Sequence, residues 1–191
     1  MYPKYIEINR QVYKINTDFR YALACFEAFE DNEINDIARA EAIITILLGN
    51  EDNEGKIKVP EFNEKDEIKV IKLLIRYLSC NYEAEEVHTE EKRDMDYIQD
   101  RKYINASFMS DYNINLDNTD MHWWKFCEFL SGLTDKCILN KIRDIRNTDL
   151  SEYKDEKTRA KLIEAMNAVK LKKNKSKEEK EAINEFNSLF E

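Results

Sequence analysis

The sequence predicts a mainly α fold, a helical protein with a small N-terminal β-hairpin. Its 191 residues include only 3 Gly and 2 Pro, and apolar residues recur at helical spacing along most of the chain. Tight turns and phosphate-binding loops depend on glycine, so this composition also disfavours most nucleotide-binding enzymes. With 42% hydrophobic and 36% charged residues, the chain is polar but apolar enough to bury a core.

The β-hairpin is predicted from residues 5–15. Apolar and polar side chains alternate there on both sides of Asn9-Arg10, which is typical of half-buried strands joined by a turn. Three helices are then predicted from apolar residues at spacings of three and four, with Thr17-Asp18 as an N-cap of the first and Gly49 ending the second. They cover residues 18–30, 35–48 and 63–79, and a polar surface loop at 50–60 precedes the third.

The rest of the chain is also predicted to be helical. Helix 63–79 should bury one stripe, made of Ile68, Ile71, Leu74, Ile75 and Leu78. Beyond it, helical patterns cover 94–112, 120–133, 135–146, 155–171 and 176–190, with a turn at 113–118. The expected core consists of Phe19, Leu23, Phe26, Ile43, Leu47, Ile71, Leu74, Ile75, Phe108, Trp123, Phe126, Leu130 and Ile142.

These elements suggest four regions. Residues 1–82 hold the hairpin and the first helices, and the strongly acidic stretch 83–93 is interpreted as a linker. Residues 94–150 form a helical core, and residues 151–191 form charged C-terminal helices.

Charge and cysteine usage indicate a soluble protein of a reducing cytoplasm. The net charge is −9, which disfavours general attraction to nucleic acid. The basic cluster from Lys170 to Lys177 is interpreted as a solvated helix junction, with contact to phosphate or an acidic partner as the alternative. No apolar run is long enough to span a membrane, no charged-then-apolar leader opens the chain, and the four cysteines form no disulfide framework or metal knuckle.

Residues for catalysis, cofactors or metals are not evident in the sequence. His88 stands alone in the acidic stretch, and His122 is five positions from Cys127, which does not place the two on one helix face. The paired acidic residues have no apolar surroundings that would raise a pKa. We therefore expect no enzyme activity and no cofactor.

The densest aromatic patch begins with Trp123 and Trp124 and continues through Phe126 and Phe129. Either both indoles belong to the core, or one is an interface anchor, since Trp is enriched in binding hot spots. Arg143 and Arg146 follow on the next helix and would stack on this patch or pair with Asp111, Asp117 or Asp120. The candidate partner-binding residues are therefore Trp123, Trp124, Phe129, Arg143 and Arg146.

One long motif carries a family resemblance. It runs from Asp96-Tyr97 and Asp100 through Tyr103-Ile104 and Ala106-Ser107-Phe108 to Asp111-Tyr112, Ile114 and Leu116, then Met121-His122-Trp123-Trp124-Lys125-Phe126, Leu130 and Gly132-Leu133. This pattern resembles the bacteriophage gene-product-fifteen family, from long-tailed phages and prophages of Gram-positive bacteria. The close match covers about residues 94–146.

The resemblance implies a non-enzymatic tail assembly chaperone. Such a protein would bind the tape measure protein, with the major tail protein as a further partner and with self-association. It would act in the host cytoplasm and be absent from the mature virion. Two alternatives stay open: a structural tail or connector component of the virion, and a prophage-encoded nucleic-acid-binding regulator.

Overall fold

The computed structural model describes residues 1–80 and 93–172. These residues form seven helices and two small hairpins, which confirms the mainly α fold with an N-terminal hairpin. The helices are α1 (Phe19–Glu30), α2 (Asp36–Leu48), α3 (Glu64–Leu78), α4 (Arg101–Tyr112), α5 (Trp123–Ser131), α6 (Ile138–Asn147) and α7 (Glu156–Val169). The strands are β1 (Tyr5–Ile8), β2 (Gln11–Lys14), β3 (Asn50–Glu51) and β4 (Ile57–Lys58).

The chain divides into two compact units. The described part of the first contains residues 1–80 and the distant segment Met121–Trp124, and that of the second contains residues 93–120 and 125–172. In the first unit α1 packs on α2, α2 on α3 and α3 on β1, whereas in the second α4 and α7 both pack on α6. The predicted region 94–150 includes Met121–Trp124, whereas the structure places these four residues in the first unit.

The structure confirms the N-terminal hairpin that was predicted from alternating apolar and polar residues. β1 and β2 pair in antiparallel register from Tyr5 opposite Lys14 to Ile8 opposite Gln11. The turn residues Asn9 and Arg10 have φ of 52° and 66°, the left-handed conformation that a two-residue hairpin turn of the primed type requires. Ile6 and Ile8 are buried, as the period of two predicts.

The first three helices begin and end within one residue of their predicted bounds. Asp18, Asn35 and Asn63 cap them, each accepting a backbone N–H of the first turn. Gly49 ends α2, but with an ordinary φ of −66°. A Cβ at this position would lie 2.3 Å from the Thr45 carbonyl oxygen and 2.9 Å from Ile57 Cγ2, so close approach is what requires glycine here.

Two expectations for the first unit are wrong in part. Helix α3 buries Val70, Leu74, Tyr77 and Leu78, whereas Ile68 and Ile75 are 56% and 45% exposed. The sequence offers two neighbouring apolar stripes on this helix, and periodicity alone cannot tell which one faces the core. The loop predicted at 50–60 contains strands β3 and β4, which are exposed and too short to show alternation.

The second unit also departs from the predicted helix boundaries. Residues 97–100 form a turn and α4 begins only at Arg101, because the Asp96 carboxylate accepts the backbone N–H groups of Ile98 and Gln99. A turn at residues 132–137 separates α5 from α6, which Cys137 caps through its Sγ. Short 3-10 helices occupy Leu116–Asn118 and Leu150–Glu152.

The expected core is confirmed in part. Phe19, Ile43, Leu47, Leu74, Phe108, Trp123, Phe126 and Ile142 are buried, while Leu23, Phe26, Ile71 and Leu130 are half-buried. Most of the acidic stretch 83–93 with His88, Lys173 to Lys177 and the predicted helix 176–190 lie outside the described residues. Within those residues, no helix combines the length and apolar character needed to cross a bilayer.

Candidate partner-binding site

The two tryptophans lie in a segment that pairs with the start of α1. Trp123 N–H donates to the Thr17 carbonyl at 2.7 Å, and Phe19 N–H donates to the Met121 carbonyl at 2.9 Å. These bonds flank a single antiparallel bridge between Asp18 and His122. The segment is therefore held on the first unit by backbone pairing as well as by its side chains.

Both indoles bind the C-terminal end of α3. The Trp123 Nε1–H donates to the Leu78 carbonyl at 3.0 Å, and the Trp124 Nε1–H donates to the Tyr77 carbonyl at 2.9 Å. The last carbonyls of a helix lack the usual N–H partner four residues on, so the two indole donors supply hydrogen bonds there, although the Tyr77 carbonyl also accepts the Cys80 N–H at 3.2 Å. Trp123 is 1% exposed and its ring lies 5.7 Å from that of Phe26.

His122 connects the same segment to the N-terminal residues. Its Nδ1 accepts the backbone N–H of Trp124 at 3.1 Å, so the ring proton of the neutral tautomer lies on Nε2. Nε2 then donates to the Pro3 carbonyl at 2.9 Å. The ring also stacks on Tyr2 with centroids 5.0 Å apart. Every polar atom of this imidazole is occupied within the first unit.

Asp18 has two roles in this arrangement. Its carboxylate accepts the N–H of Arg20 at the start of α1 and the N–H of Met121 at 3.0 Å, and it pairs with the Arg20 guanidinium at 2.6 Å. Burial by itself would raise the pKa of Asp18, but the hydrogen bonds from Arg20 and Met121 outweigh burial and lower the pKa below its ordinary 3.8.

Phe129 belongs to an aromatic cluster of the second unit. Its ring lies 4.8 Å from that of Tyr112, whose hydroxyl donates to the Phe129 carbonyl at 2.9 Å. Phe108 stacks on Phe126 in the same cluster with centroids 5.1 Å apart. Phe129 itself is half-buried, and the Lys125 ammonium lies 5.4 Å from its ring centroid.

Arg146 forms the buried ionic centre of the second unit. Its guanidinium donates to both carboxylate oxygens of Asp100, at 2.6 and 2.7 Å, and Arg146 is 8% exposed. Two further N–H donors bind the carbonyls of Val169 and Asp94 at 2.6 and 2.8 Å. Hydrogen bonding to Asp100 raises the pKa of Arg146, so the guanidinium stays charged.

The end of α7 is held by the same centre. Arg146 binds the carbonyl of Val169, the last residue of α7. Three residues on, the backbone of Lys172 exchanges two hydrogen bonds with the Gln99 side chain, at 2.8 and 3.1 Å. Arg146 therefore joins the turn before α4 to the end of α7.

The carboxylates that bind Arg143 and Arg146 are those of Asp94 and Asp100, whereas the sequence suggested Asp111, Asp117 or Asp120. Arg143 binds the Asp94 carboxylate at 3.1 Å, and Asp94 also accepts from Asn147. Asp111 instead accepts the backbone N–H and the hydroxyl of Thr134 at 2.8 and 2.9 Å.

All five candidate partner-binding residues therefore contact other parts of their own unit. Trp123 and Arg146 are buried, whereas Trp124, Phe129 and Arg143 are half-buried. Their binding to a partner stays a prediction. No signal in the sequence pointed to the second role of Asp18, because nothing local links it to a residue 103 positions away. Asp100 was visible as a motif residue, but no signal in the sequence paired it with Arg146.

The four cysteines are free thiols, and that of Cys25 is buried. No disulfide joins the four cysteines, and burial raises the pKa of the Cys25 thiol to about 12. Residues 1–80 and 93–172 contain no group of three or more His, Cys, Asp or Glu that could hold a metal ion.

The family model described as Bacteriophage Gp15 protein matches residues 2–171. The chain belongs to this family. The match covers both compact units, from the N-terminal hairpin to the segment that follows α7, and this extent confirms the resemblance seen in the central motif. No curated protein and no solved structure matches the chain. Family membership makes it a bacteriophage protein. Two residues of the motif, Asp100 and Trp123, are buried and have structural roles.

Proposed function

We propose that this chain is a non-enzymatic phage tail assembly chaperone that binds the tape measure protein during tail morphogenesis. The observation that carries the proposal is the family match over residues 2–171. The major tail protein would be a second partner, and self-association is part of the same proposal. The chaperone would act in the host cytoplasm and be absent from the mature virion.

Surface chemistry supports the proposal. The client of such a chaperone would present long amphipathic helices that aggregate when left bare, so the chaperone needs exposed apolar side chains of its own. Ile37, Ile57, Ile68 and Ile75 are all large, apolar and exposed in the first unit. A net charge of −9 would keep the resulting complexes soluble.

The proposal is tested by co-expressing the chain with the tape measure protein of the same phage. The expected result is that the tape measure protein becomes soluble only when the chain is present and that the two co-elute in size-exclusion chromatography. Neither rescue nor co-elution would contradict it. An unrelated acidic helical protein of similar size serves as the control for non-specific solubilisation.

A second measurement separates the chaperone from a structural virion component. Mass spectrometry of purified virions should not detect the chain if it is a chaperone. Stoichiometric amounts in the particle would instead support the tail or connector alternative.

A further inference from the structure

A cavity between α2, α3 and the segment that joins β4 to α3 has no assigned role. Its volume is about 290 Å³, and its apolar walls are formed by Ile44, Val59, Pro60 and Phe62. This volume is near the low end for ligand pockets and suits one large side chain better than a cofactor. The fold keeps the walls in place, since Phe62 packs edge-on against Tyr13 of the N-terminal hairpin with centroids 5.1 Å apart.

Two carboxylates line this cavity. Glu41 on α2 is exposed and Glu67 on α3 is half-buried. Within the described residues, neither side chain has an ion pair, and no Lys or Arg lines the cavity. Two lysines of the flanking segments are paired with other acids, since Lys58 lies 3.3 Å from Asp52 and Lys69 lies 2.8 Å from Asp66.

Exposed apolar residues extend the same surface along α3. Ile68 and Ile75 are exposed and Ile71 is half-buried, and their spacing of three and four places them on one side of the helix. Glu67 lies one helical turn before Ile71, so the cavity borders this stripe. An apolar stripe that ends at a pocket is the surface on which an amphipathic helix binds.

We propose that this cavity is the anchor point for a basic amphipathic helix of a partner protein. The partner inserts one large apolar side chain among Ile44, Pro60 and Phe62. A Lys or Arg one turn away on the partner pairs with Glu41 and Glu67. The inference rests on the proposed function, since it identifies the client segment as a cationic helix of the tape measure protein.

The experiment maps peptide binding on the full chain by amide chemical shifts. One probe is a synthetic amphipathic helix of Leu and Lys, and the control is the same peptide with Glu in place of Lys. The Lys peptide should shift the amides of residues 41–45 and 61–67, whereas the Glu peptide should leave them unchanged. Equal effects of the two peptides, or shifts that avoid these residues, would overturn the proposal.

Two matched pairs of variants sharpen the test. The double variant Glu41→Lys and Glu67→Lys should lower the affinity for the Lys peptide at least about tenfold. The control double variant Glu7→Lys and Glu27→Lys changes the net charge equally at exposed acids outside the cavity and should leave this affinity unchanged. Thr45→Phe fills the cavity and should also weaken binding, and the isosteric Thr45→Val should not. Undiminished binding by the charge-reversed and filled variants would overturn the proposal.

The tape measure experiment remains independently interpretable. If the wild-type chain rescues the tape measure protein and the cavity variants rescue it equally well, the chaperone function stands but the cavity is not the site that binds the tape measure protein. If the Lys peptide binds at the cavity but the tape measure protein is neither rescued nor bound, the surface stands and the proposed client is wrong.

Discussion

The two units hold distant segments in place by different chemistry. In the first unit, Met121–Trp124 is joined to the start of α1 and the end of α3 by backbone pairing and two neutral indole donors. In the second, the end of α7 is joined to the turn before α4 by a buried guanidinium and carboxylate. The first arrangement depends mainly on hydrogen bonds and on the buried Trp123, and the second on compensation of buried charge, so different substitutions should break them.

The largest expected effect is that of Trp123→Ala in the first unit. Removing a fully buried indole leaves a cavity that costs about 3–5 kcal/mol, and the Leu78 carbonyl loses a hydrogen bond worth about 1 kcal/mol. Denaturant unfolding measures the loss in free energy of unfolding, and hydrogen exchange of amides in α1 and α3 shows where protection is lost. Trp123→Phe, which keeps most of the volume, should lose markedly less; equal losses would contradict a role in packing.

A comparable effect is expected for Arg146→Ala in the second unit. The substitution leaves Asp100 buried without its cation, which costs about 3–5 kcal/mol. Hydrogen exchange of amides in α4, α6 and α7 measures it, and α7 should lose protection with the others. A loss no larger than that of the control Arg143→Ala would show that the buried pair does not hold this unit together.

A smaller loss of stability is expected for the control variant Arg143→Ala. Arg143 pairs with Asp94 at a partly exposed site, where solvent screens the charges, so Arg143→Ala should cost at most about 1 kcal/mol. The cost should shrink further as salt is added, because exposed pairs are screened by ions. Thermal unfolding at low and high ionic strength checks this expectation.

Trp124→Phe should cost about 1 kcal/mol, since it removes one hydrogen bond to the Tyr77 carbonyl and leaves an aromatic ring. The measurement is denaturant unfolding followed by the fluorescence of the remaining Trp123. If Trp124 is also a partner anchor, the variant should weaken tape measure binding by more than this loss of stability explains. Unchanged binding would assign Trp124 to the fold alone.

The smallest expected effect is the change that Asp18 causes in stability at acid pH. Hydrogen bonds keep the folded pKa of Asp18 below its ordinary 3.8, so its contribution to stability is present above that pH and is lost as the pH falls through the folded pKa. The stability difference between the wild type and Asp18→Asn should therefore be largest near neutral pH and narrow below about 3.8. A constant difference down to acid pH would contradict the hydrogen-bonded carboxylate.

The sequence by itself determined the fold class, the hairpin and the helices of the first unit. Period-two alternation around Asn9-Arg10, the N-cap at Asp18 and the end of a helix at Gly49 are local signals, which act through the backbone of neighbouring residues. The central motif and the family match also needed no structure.

Tertiary structure alone decided which apolar stripe of α3 is buried and what the candidate residues contact. Ile68 and Ile75 have the same spacing as the buried residues of α3, and only the position of its neighbours selects one face. The partners of Trp123, Trp124 and Arg146 are 45, 47 and 46 residues away. Such contacts depend on how the chain returns on itself, and no local preference encodes that path.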